Sequence, residues 1–481
     1  MSPRNDDELF FNSLRDREYS RLDRLNEAYL DYTGTALYAE SQVARNAERL
    51  LGSVFGNPHS ENGPSRSSTI VIEKARQRVL DFLDASSSEY SVCFTANTSA
   101  AIKLVGESFD FGPRSSLVLA SDNHNSMNGL REFSRRGGAS VQYVGLDREL
   151  RLDGAAESLR VNRKSGSALF GFPAQSNFSG VKHPLSLIEE ARNSGYAVLL
   201  DAAAFLPTNQ LSLREHSPDF VVFSMYKIAG YPTGVGVLVA RNDALPLLER
   251  PWFAGGTVEY ASIQHGMHSL RGGVEGFEDG TPAFLSIAAV SDALDFVSAL
   301  GQSRIQKRIA GLTSYLLREL RTLSHRDGIP LVRFHGPAGT GERGGTVAFN
   351  VVTPRGDPVP FAAVVDRARD AGVALRGGCF CNPGASEVAF DFPLDASRLC
   401  FASASEHGFS VEKLSACLGT SVAVGAVRAS VGIPTTRRDI DRAIDVVASF
   451  GERRSRATGV RTSLALQKPD TILHKTGQPF A

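Results

Sequence analysis

The sequence predicts an α/β protein: a large domain around a mostly parallel sheet, followed by a smaller α/β domain. Two observations carry this prediction. Short, nearly continuous apolar runs alternate with amphipathic segments between residues 90 and 240, a pattern typical of strands that helices cover on both faces. The 481 residues are also more than one simple core holds, but ordinary for a large domain joined to a small one.

The elements of the large domain follow from these apolar runs. We expect strands at residues 91–95, 116–120, 167–172, 196–200, 219–224 and 235–240, with helices at 99–108 and 185–193. Pro184 stands at the start of the second helix, where proline is tolerated. Because ligands of such sheets bind at the carboxyl ends of the strands, the residues that follow each strand are the candidates for chemistry.

A second series of elements predicts the smaller domain. Two long helices at 282–300 and 303–323 lead to a strand at 346–351, a helix at 360–371 and a strand at 425–430. Thr436 and Asp439 form a capping-box pattern for a last helix that runs to about residue 450. We divide the chain into an N-terminal arm (1–25), a large domain (26–304), a small domain (305–451) and a flexible or surface tail (452–481). Residues of the N-terminal segment could pack on the small domain.

Composition narrows the class of protein. Lys plus Arg and Asp plus Glu both number 52, so the balanced charge gives no reason to expect nucleic acid or an anionic membrane as a partner. The N-terminus resembles neither a signal nor a transit peptide, and no apolar run approaches a membrane span. Five scattered cysteines do not suggest a disulfide framework. We therefore expect a cytoplasmic enzyme with reduced cysteines.

Asp201 and Lys227 form the strongest local signal. Asp201 ends one apolar run and Lys227 follows another, so we expect both at the carboxyl edge of the sheet. A pyridine cofactor needs an acid that keeps its ring nitrogen protonated and an amine that forms a Schiff base. Each residue alone is more commonly a solvent-facing lysine or a helix-capping aspartate. Their joint placement favours a cofactor site.

Two further segments could contact such a cofactor. Thr98 and Ser99 stand where a strand gives way to a helix, and helix N–H groups with two hydroxyls can cradle a phosphate. The same residue types are ordinary helix caps. His124 follows the next strand and could stack on a flat ring, or simply face solvent.

Cys379 and Cys381 lie between glycines and an Asn-Pro-Gly segment, which predicts an exposed, mobile loop. A cysteine there could meet a substrate and carry sulfur outward, and the flanking Arg376 would favour its thiolate. Zinc binding, a disulfide and an incidental pair are the alternatives, but no second ligand pair has zinc spacing, so we predict no metal site. Arg428 in a predicted strand suits a grip on an amino-acid carboxylate, or an ordinary surface role.

Nine segments together give the chain a family resemblance between about residues 25 and 450. They are YLDYTGT (29–35), FGNPHS (55–60), FTANTS (94–99), QSNFSG (175–180), LDAAA (200–204), SMYKIAGYPTG (224–234), FEDGT (277–281), GCFCNPGA (378–385) and VRAS (427–430). In number and order they resemble the cysteine-desulfurase branch of class-V, fold-type-I pyridoxal-phosphate enzymes. Within it they are most similar to the N-terminal domain of molybdenum cofactor sulfurases. The resemblance implies the aspartate aminotransferase-like fold of pyridoxal-phosphate (PLP) dependent transferases.

The resemblance also implies roles for single residues. Lys227 would be the Schiff-base lysine, Asp201 the partner of the pyridine nitrogen, and Cys381, not Cys379, the cysteine that receives sulfur as a persulfide. Substrate contacts would come from Arg428, Asn177 and Arg376. The other implied cofactor contacts are Thr98, Ser99 and Ser224 at the phosphate, His124 on the ring, Asn177 near the ring oxygen, Tyr226 in place of a bacterial histidine, and Thr281 for the phosphate of a neighbouring subunit.

The implied reaction takes sulfur from L-cysteine, leaves alanine, and passes a persulfide from Cys381 to an acceptor protein or cofactor. A cytoplasmic homodimer is the implied state. Three features depart from the family pattern: Ser386 replaces a third cysteine, Ala204 replaces a glutamine common in desulfurases, and the segment after residue 451 is too short for the family's C-terminal domain. The final acceptor, with molybdenum cofactor as one candidate, is therefore left open.

Two other functions remain open from sequence alone. A C–S lyase, an epimerase or a related class-V enzyme could use the same cofactor on another amino acid, with Cys381 incidental. A non-catalytic scaffold is the third reading, although it would need neither Lys227 nor Asp201. Formation of alanine and a persulfide distinguishes the desulfurase from the lyase-type enzymes. Uptake of the cofactor distinguishes either enzyme from the scaffold.

Overall fold

The computed structural model describes residues 3–419 and 421–451. Its strands are, in chain order, β1 (Ala28–Tyr29), β2 (Tyr90–Thr95), β3 (Ser116–Ala120), β4 (Ser140–Val144), β5 (Ala168–Pro173), β6 (Ala197–Asp201), β7 (Phe220–Ser224), β8 (Gly236–Arg241), β9 (Val258–Ser262), β10 (Met267–Leu270), β11 (Val332–His335), β12 (Thr346–Val351), β13 (Val373–Ala374), β14 (Arg376–Gly378) and β15 (Ala426–Ser430). The tail predicted over 452–481 lies outside the described residues.

The helices complete the list of elements. They are α1 (Pro3–Glu18), α2 (Arg21–Arg24), α3 (Glu40–Gly52), α4 (Gly63–Phe82), α5 (Thr98–Ser108), α6 (Asn125–Asn128), α7 (Leu130–Arg136), α8 (Ala155–Val161), α9 (Ser186–Asn193), α10 (Met225–Ala229), α11 (Phe284–Ile287), α12 (Val290–Leu300), α13 (Gln302–Arg321), α14 (Phe361–Asp370), α15 (Pro383–Ala389), α16 (Leu394–His407), α17 (Val411–Leu418) and α18 (Arg437–Ala448).

The large sheet has the strand order β2-β8-β7-β6-β5-β3-β4. Every neighbouring pair is parallel except those of β8, which is antiparallel to both β7 and β2. The mostly parallel sheet is thus confirmed, and the six predicted strands form within one residue of their expected bounds. The edge strand β4 was not predicted, because it contains the exposed Gln142 and Tyr143 and lacks a continuous apolar run.

Burial on both faces explains why these strands are apolar throughout. Along β3, Val118 belongs to one apolar cluster while Leu117 and Leu119 belong to another on the opposite face. Successive side chains of a strand point to opposite faces, so a strand covered on both sides needs an apolar residue at every position. This packing leaves only the strand ends free to carry polar chemistry.

The small domain is built on an antiparallel sheet of order β11-β12-β15-β14. The N-terminal segment attaches to this domain: β1 pairs in parallel with β13, and the Arg15 guanidinium donates to the Asp439 carboxylate at 2.7 Å. The predicted capping box also forms, because the Thr436 hydroxyl and the Asp439 backbone are bonded at 3.3 Å. The predicted domain boundaries themselves stay a prediction.

Two sequence expectations are wrong at the level of elements. The helix expected at 282–300 is split into α11 and α12. Between them the Ala289 N–H donates to the Ser286 carbonyl at 3.1 Å, a bond of the 3₁₀ type that tightens the turn. The cysteines are not all reduced: a disulfide joins Cys400 of α16 to Cys417 of α17. Spacing alone did not reveal it, because the pairing depends on how two helices pack.

Among the described residues no single helix is long and apolar enough to cross a membrane. The segments Phe284–Leu300 and Gln302–Arg321 reach that length and apolarity only as a pair, and they are bent by 70°.

Candidate active site

The carboxyl ends of β5, β6 and β7 open into a cavity of about 580 Å³, a volume typical of small-molecule sites. This is the edge of the sheet where the sequence predicted chemistry. Eight of the predicted cofactor contacts line the cavity: Thr98, Ser99, His124, Asn177, Asp201, Ser224, Tyr226 and Lys227. The structure therefore brings these residues together, while their individual roles stay predictions.

Lys227 and Asp201 reach the cavity from neighbouring strands. Asp201 is the last residue of β6, and Lys227 lies in α10, directly after β7. Burial lowers the pKa of the Lys227 amine, while the Asp201 carboxylate opposes this shift. The Asp201 carboxylate is itself held in place, since its Oδ1 accepts from the Ala203 N–H at 2.9 Å. The acid and the amine thus lie within electrostatic reach in one cavity, as the sequence hypothesis requires.

Two aromatic side chains border the same space. The His124 Nδ1 accepts from the Ser126 N–H at 3.1 Å, so the proton of the neutral ring is on Nε2. Burial lowers the pKa of His124, Asp201 raises it, and Lys227 lowers it further. A half-buried, neutral ring is suited to stacking on a flat cofactor. Tyr226, beside Lys227, is also half-buried, and burial raises its pKa.

Hydroxyl groups and a helix N-terminus form one end of the cavity. The Thr98 N–H, at the start of α5, donates to the Ser224 Oγ at 2.8 Å, and the Ser99 and Ser126 hydroxyls are 2.6 Å apart. Gly236 allows this approach, because a Cβ there would lie 2.2 Å from the Asn97 carbonyl carbon. These donors fit a phosphate group.

Arg428 and Arg376 face each other in register on β15 and β14, and Asp31 lies between them. Arg428 donates to Asp31 Oδ1 at 3.0 Å and to the Asn177 carbonyl at 2.8 Å, and burial lowers its pKa to about 10. Arg376 donates to Asp31 Oδ2 at 2.6 Å, a bond that raises the pKa of Arg376. Neither arginine lines the cavity. Arg376 therefore pairs chiefly with Asp31, a partner that the sequence did not indicate.

The cysteine loop connects β14 to α15 and places two thiols differently. Cys381 is exposed, and the residues on either side of it, Phe380 and Asn382, are both hydrogen-bonded to the cavity residue Asn177. Cys379 is half-buried with its thiol donating to the Val424 carbonyl at 3.3 Å, and burial raises its pKa. Exposure of Cys381 is as predicted. The loop is nevertheless short and bonded to the large domain, for example through the Asn125 N–H and the Cys381 carbonyl at 2.7 Å.

Thr281 is the one predicted cofactor contact that the structure does not bring to this cavity. It lines a neighbouring cavity of about 320 Å³, which shares Ala96 and Gly234 with the first. Its hydroxyl accepts from the Asn57 amide at 3.1 Å. Sequence reasoning assigned no role to Asp31 or to Gln175, which lines the main cavity, although both stand in segments that carry the family resemblance.

An amine, a buried acid, a neutral imidazole and a phosphate cradle at the carboxyl edge of a parallel sheet fit pyridoxal phosphate group by group. The fold and the site thus define a fold-type-I PLP enzyme. More specifically, the chain belongs to the aminotransferase class-V family, because residues 28–443 match the sequence profile of that family.

Curated relatives are molybdenum cofactor sulfurases. The chain is 37% identical over 473 residues to the one from Drosophila erecta, covering 90% of this chain and 59% of the relative. It is 36% identical over 491 residues to the one from Solanum lycopersicum, covering 93% and 57%. The chain thus spans about three fifths of the length of these relatives.

Solved structures share the fold. The apo cysteine desulfurase of Thermococcus onnurineus NA1 superposes with a TM-score of 0.74 at 23% identity, covering 91% of this chain and 97% of that one. A cysteine desulfurase from Escherichia coli gives a TM-score of 0.70 at 20% identity, with the same coverage. A C-DES mutant with glycine covalently linked to its PLP cofactor gives 0.68 at 16% identity, covering 91% and 99%.

Proposed function

We propose that this chain is a PLP-dependent cysteine desulfurase, which takes sulfur from L-cysteine and holds it as a persulfide on Cys381. The observation that carries the proposal is the position of Cys381: an exposed thiol on a loop whose Phe380 carbonyl accepts from the amide of the cavity residue Asn177 at 2.6 Å. A lyase that uses Cys381 only incidentally has no need of a thiol at this place.

Lys227 and Asp201 would divide the acid–base work. When bound, PLP supplies an electron sink for negative charge at the substrate Cα. Lys227 would hold the cofactor and then, displaced by the substrate amine, move the Cα proton. Because burial lowers its pKa, the amine is available as a base at a lower pH than a free lysine. Asp201 would keep the ring nitrogen protonated, and His124 would cover the ring.

Cys381 would perform the sulfur step as a nucleophile. Its thiolate attacks the substrate sulfur, so that an S–S bond forms while the Cβ–S bond breaks. The electron pair of the broken bond remains on the carbon, which takes up a proton and leaves as alanine. One cysteine thus yields one alanine and one persulfide, and no external oxidant is needed. Arg428 donates to the carbonyl of the cavity residue Asn177, and from behind that residue its positive charge would attract the substrate carboxylate.

We infer that molybdenum cofactor is the final acceptor. Support comes from the curated relatives, which are named molybdenum cofactor sulfurases and match 90% of this chain. An assay with purified molybdenum cofactor, beside other acceptors added singly, tests this inference. Sulfur transfer to the other acceptors alone would contradict it.

Replacement of Cys381 by serine tests the desulfurase proposal. We expect the Cys381→Ser protein to bind PLP with an unchanged visible spectrum but to lose persulfide formation and sulfur transfer, because the nucleophile is missing. Cys379→Ser is the matched control, two residues away and half-buried, and should retain both. Consumption of cysteine at the parent rate in Cys381→Ser, with pyruvate, ammonia and sulfide as products, would instead support a lyase.

We also propose a homodimer and a cytoplasmic location. Support for the dimer is Thr281, which borders the phosphate end from a separate cavity, where a neighbouring chain could approach it. Support for the location is the free, exposed thiol of Cys381, which a reducing compartment would preserve. The Cys400–Cys417 disulfide is unusual for that compartment, so trapping of free thiols in intact cells tests the location.

A further inference from the structure

A buried carboxylate, Asp122, fastens the cysteine loop to the large domain. Asp122 follows β3 and has no exposed surface. Its Oδ1 accepts from the Asn382 amide at 2.7 Å and from the Ser176 hydroxyl at 2.8 Å, while its Oδ2 contacts the His183 Nε2 at 3.0 Å. A carboxylate can be buried when such donors surround it. Three of its neighbours come from distant parts of the chain.

Asn382 follows Cys381 in the chain and links the cysteine loop to Asp122. Its Oδ1 accepts from the Ala385 N–H at 3.2 Å and so caps α15. Its amide also donates to the Asn177 Oδ1 at 3.0 Å, and the Asn177 amide donates to the Phe380 carbonyl at 2.6 Å. The residues on both sides of Cys381 are therefore bonded to one set of side chains: Asp122, Asn177 and Asn382, called here the Asp122 network.

The backbone of the loop needs such support. Phe380 and Cys381 have φ values of 55° and 56°, in the left-handed region that residues with a side chain seldom adopt. Conformations of this kind persist only when the surroundings fix them. The backbone of the loop also lies very close to the end of β3. At Gly384 there is no room for a side chain, since a Cβ would be 2.2 Å from the Ser121 carbonyl oxygen.

We propose that Asp122 is a positioning residue, which holds the Cys381 loop in this conformation and directs the thiol toward the cavity. The proposal rests on the function proposed above for Cys381. Asp122 does not line the cavity and acts only through Asn382 and Asn177. The residue that sets the position of the nucleophile is therefore some 260 positions away in sequence.

Hydrogen exchange of the holoenzyme without substrate tests the anchor. Asp122→Ala removes the acceptor of the Asn382 amide, so the bond is lost, whereas an asparagine would still offer an oxygen to it. We expect amides in the segment 376–390 to exchange about tenfold faster, the change that corresponds to about 1.4 kcal/mol. Asp219→Ala is the matched control, because Asp219 is a buried carboxylate that accepts from the Val198 N–H at 2.8 Å, at the opposite edge of the sheet.

Two further variants keep the test decisive if Asp122→Ala is poorly folded. Asn382→Asp sets two carboxylates side by side and should also loosen the segment. The double variant Asp122→Asn with Asn382→Asp reverses donor and acceptor, and should restore part of the protection. In both single variants we expect kcat for alanine formation to fall with little change in KM. Unchanged exchange at 376–390 in Asp122→Ala, or an equal change in Asp219→Ala, would overturn the proposal. Because exchange is measured without cysteine, a failure of the sulfur chemistry would leave this result intact.

Discussion

Asp31 places one negative charge between the two guanidinium groups of Arg428 and Arg376. The group of three side chains thus keeps one positive charge in excess beside the cavity, which suits the carboxylate of an amino-acid substrate. Burial lowers the pKa of Arg428, and the Asp31 carboxylate raises it again. Asp31 therefore helps to keep a buried arginine charged and oriented.

Asp31→Asn should weaken substrate binding more than turnover. With the charge removed, Arg428 and Arg376 repel each other, and one of the two oxygens that accept their bonds is replaced by an NH₂ donor. We expect KM for cysteine to rise about tenfold while kcat changes little, as for the loss of one charged hydrogen bond. Asp31→Glu, which retains the charge, should recover part of the affinity. An unchanged KM in Asp31→Asn, measured by alanine formation, would rule out this role.

Some residues of the site could be predicted from the sequence and others could not. The placement of Lys227 and Asp201 in one cavity could be predicted, because both the chemistry of a pyridine cofactor and the strand-end rule point to these residues. Asp31 and Asp122 could not, because an aspartate in a loop is ordinary until its partners are known. Those partners, Arg376 and Asn382, lie 345 and 260 positions away.

At the scale of elements, the strand β11 carries a titratable group into the core of the small domain. His335 packs against Phe178 and Phe390 and donates from Nε2 to the Asn350 Oδ1 at 2.7 Å. Burial lowers the pKa of His335 to about 4. Its neutral form therefore fits the folded protein, whereas an unfolded histidine titrates near 6.5.

Acid should destabilise the fold through His335. Between pH 6.5 and 4 the unfolded chain binds the proton and the folded one does not, so stability is full above pH 6.5 and falls toward pH 4. The loss reaches up to about 3 kcal/mol. In His335→Gln, whose amide can still donate to Asn350, urea unfolding should show a smaller loss over this range. His265→Gln, at an exposed position, is the control. An equal loss in wild type and His335→Gln would contradict this assignment.

The central strands could be predicted closely, but the elements around the site could not. Strands buried on both faces are continuous apolar runs that end abruptly, and they were expected within one residue of their bounds. The hairpin of β9 and β10 exposes Tyr260, Ile263 and Met267, so it lacks an apolar period that would reveal it. The anchored conformation of the cysteine loop depends on the Asp122 network, which no local pattern indicates.

At the scale of the whole molecule, exposed apolar side chains on that hairpin favour association. Ile263 is 94% exposed, and Tyr260 and Met267 are more than half exposed. Apolar side chains grouped on one surface commonly mark an interface. The surface formed by Tyr260, Ile263 and Met267 is therefore our candidate for the contact in the proposed dimer.

Ile263→Asp combined with Tyr260→Asp should shift the chain toward monomer in sedimentation experiments. PLP should also bind more weakly in this variant, if a neighbouring chain supplies Thr281 to the phosphate. Leu399→Asp, at an exposed apolar position on α16, is the control and should leave the assembly unchanged. A wild-type chain that is monomeric at micromolar concentration would contradict the dimer.

The account as a whole depends on Lys227 and Asp201 holding one cofactor between them. Borohydride reduction of the protein loaded with PLP, followed by peptide mass spectrometry, tests this most directly. We predict the phosphopyridoxyl group on the peptide that contains Lys227, and weaker PLP binding in Asp201→Asn than in Asp201→Glu. A label on other lysines only, or equal labelling of a Lys227→Ala protein, would contradict the cofactor site and the sulfur chemistry built on it.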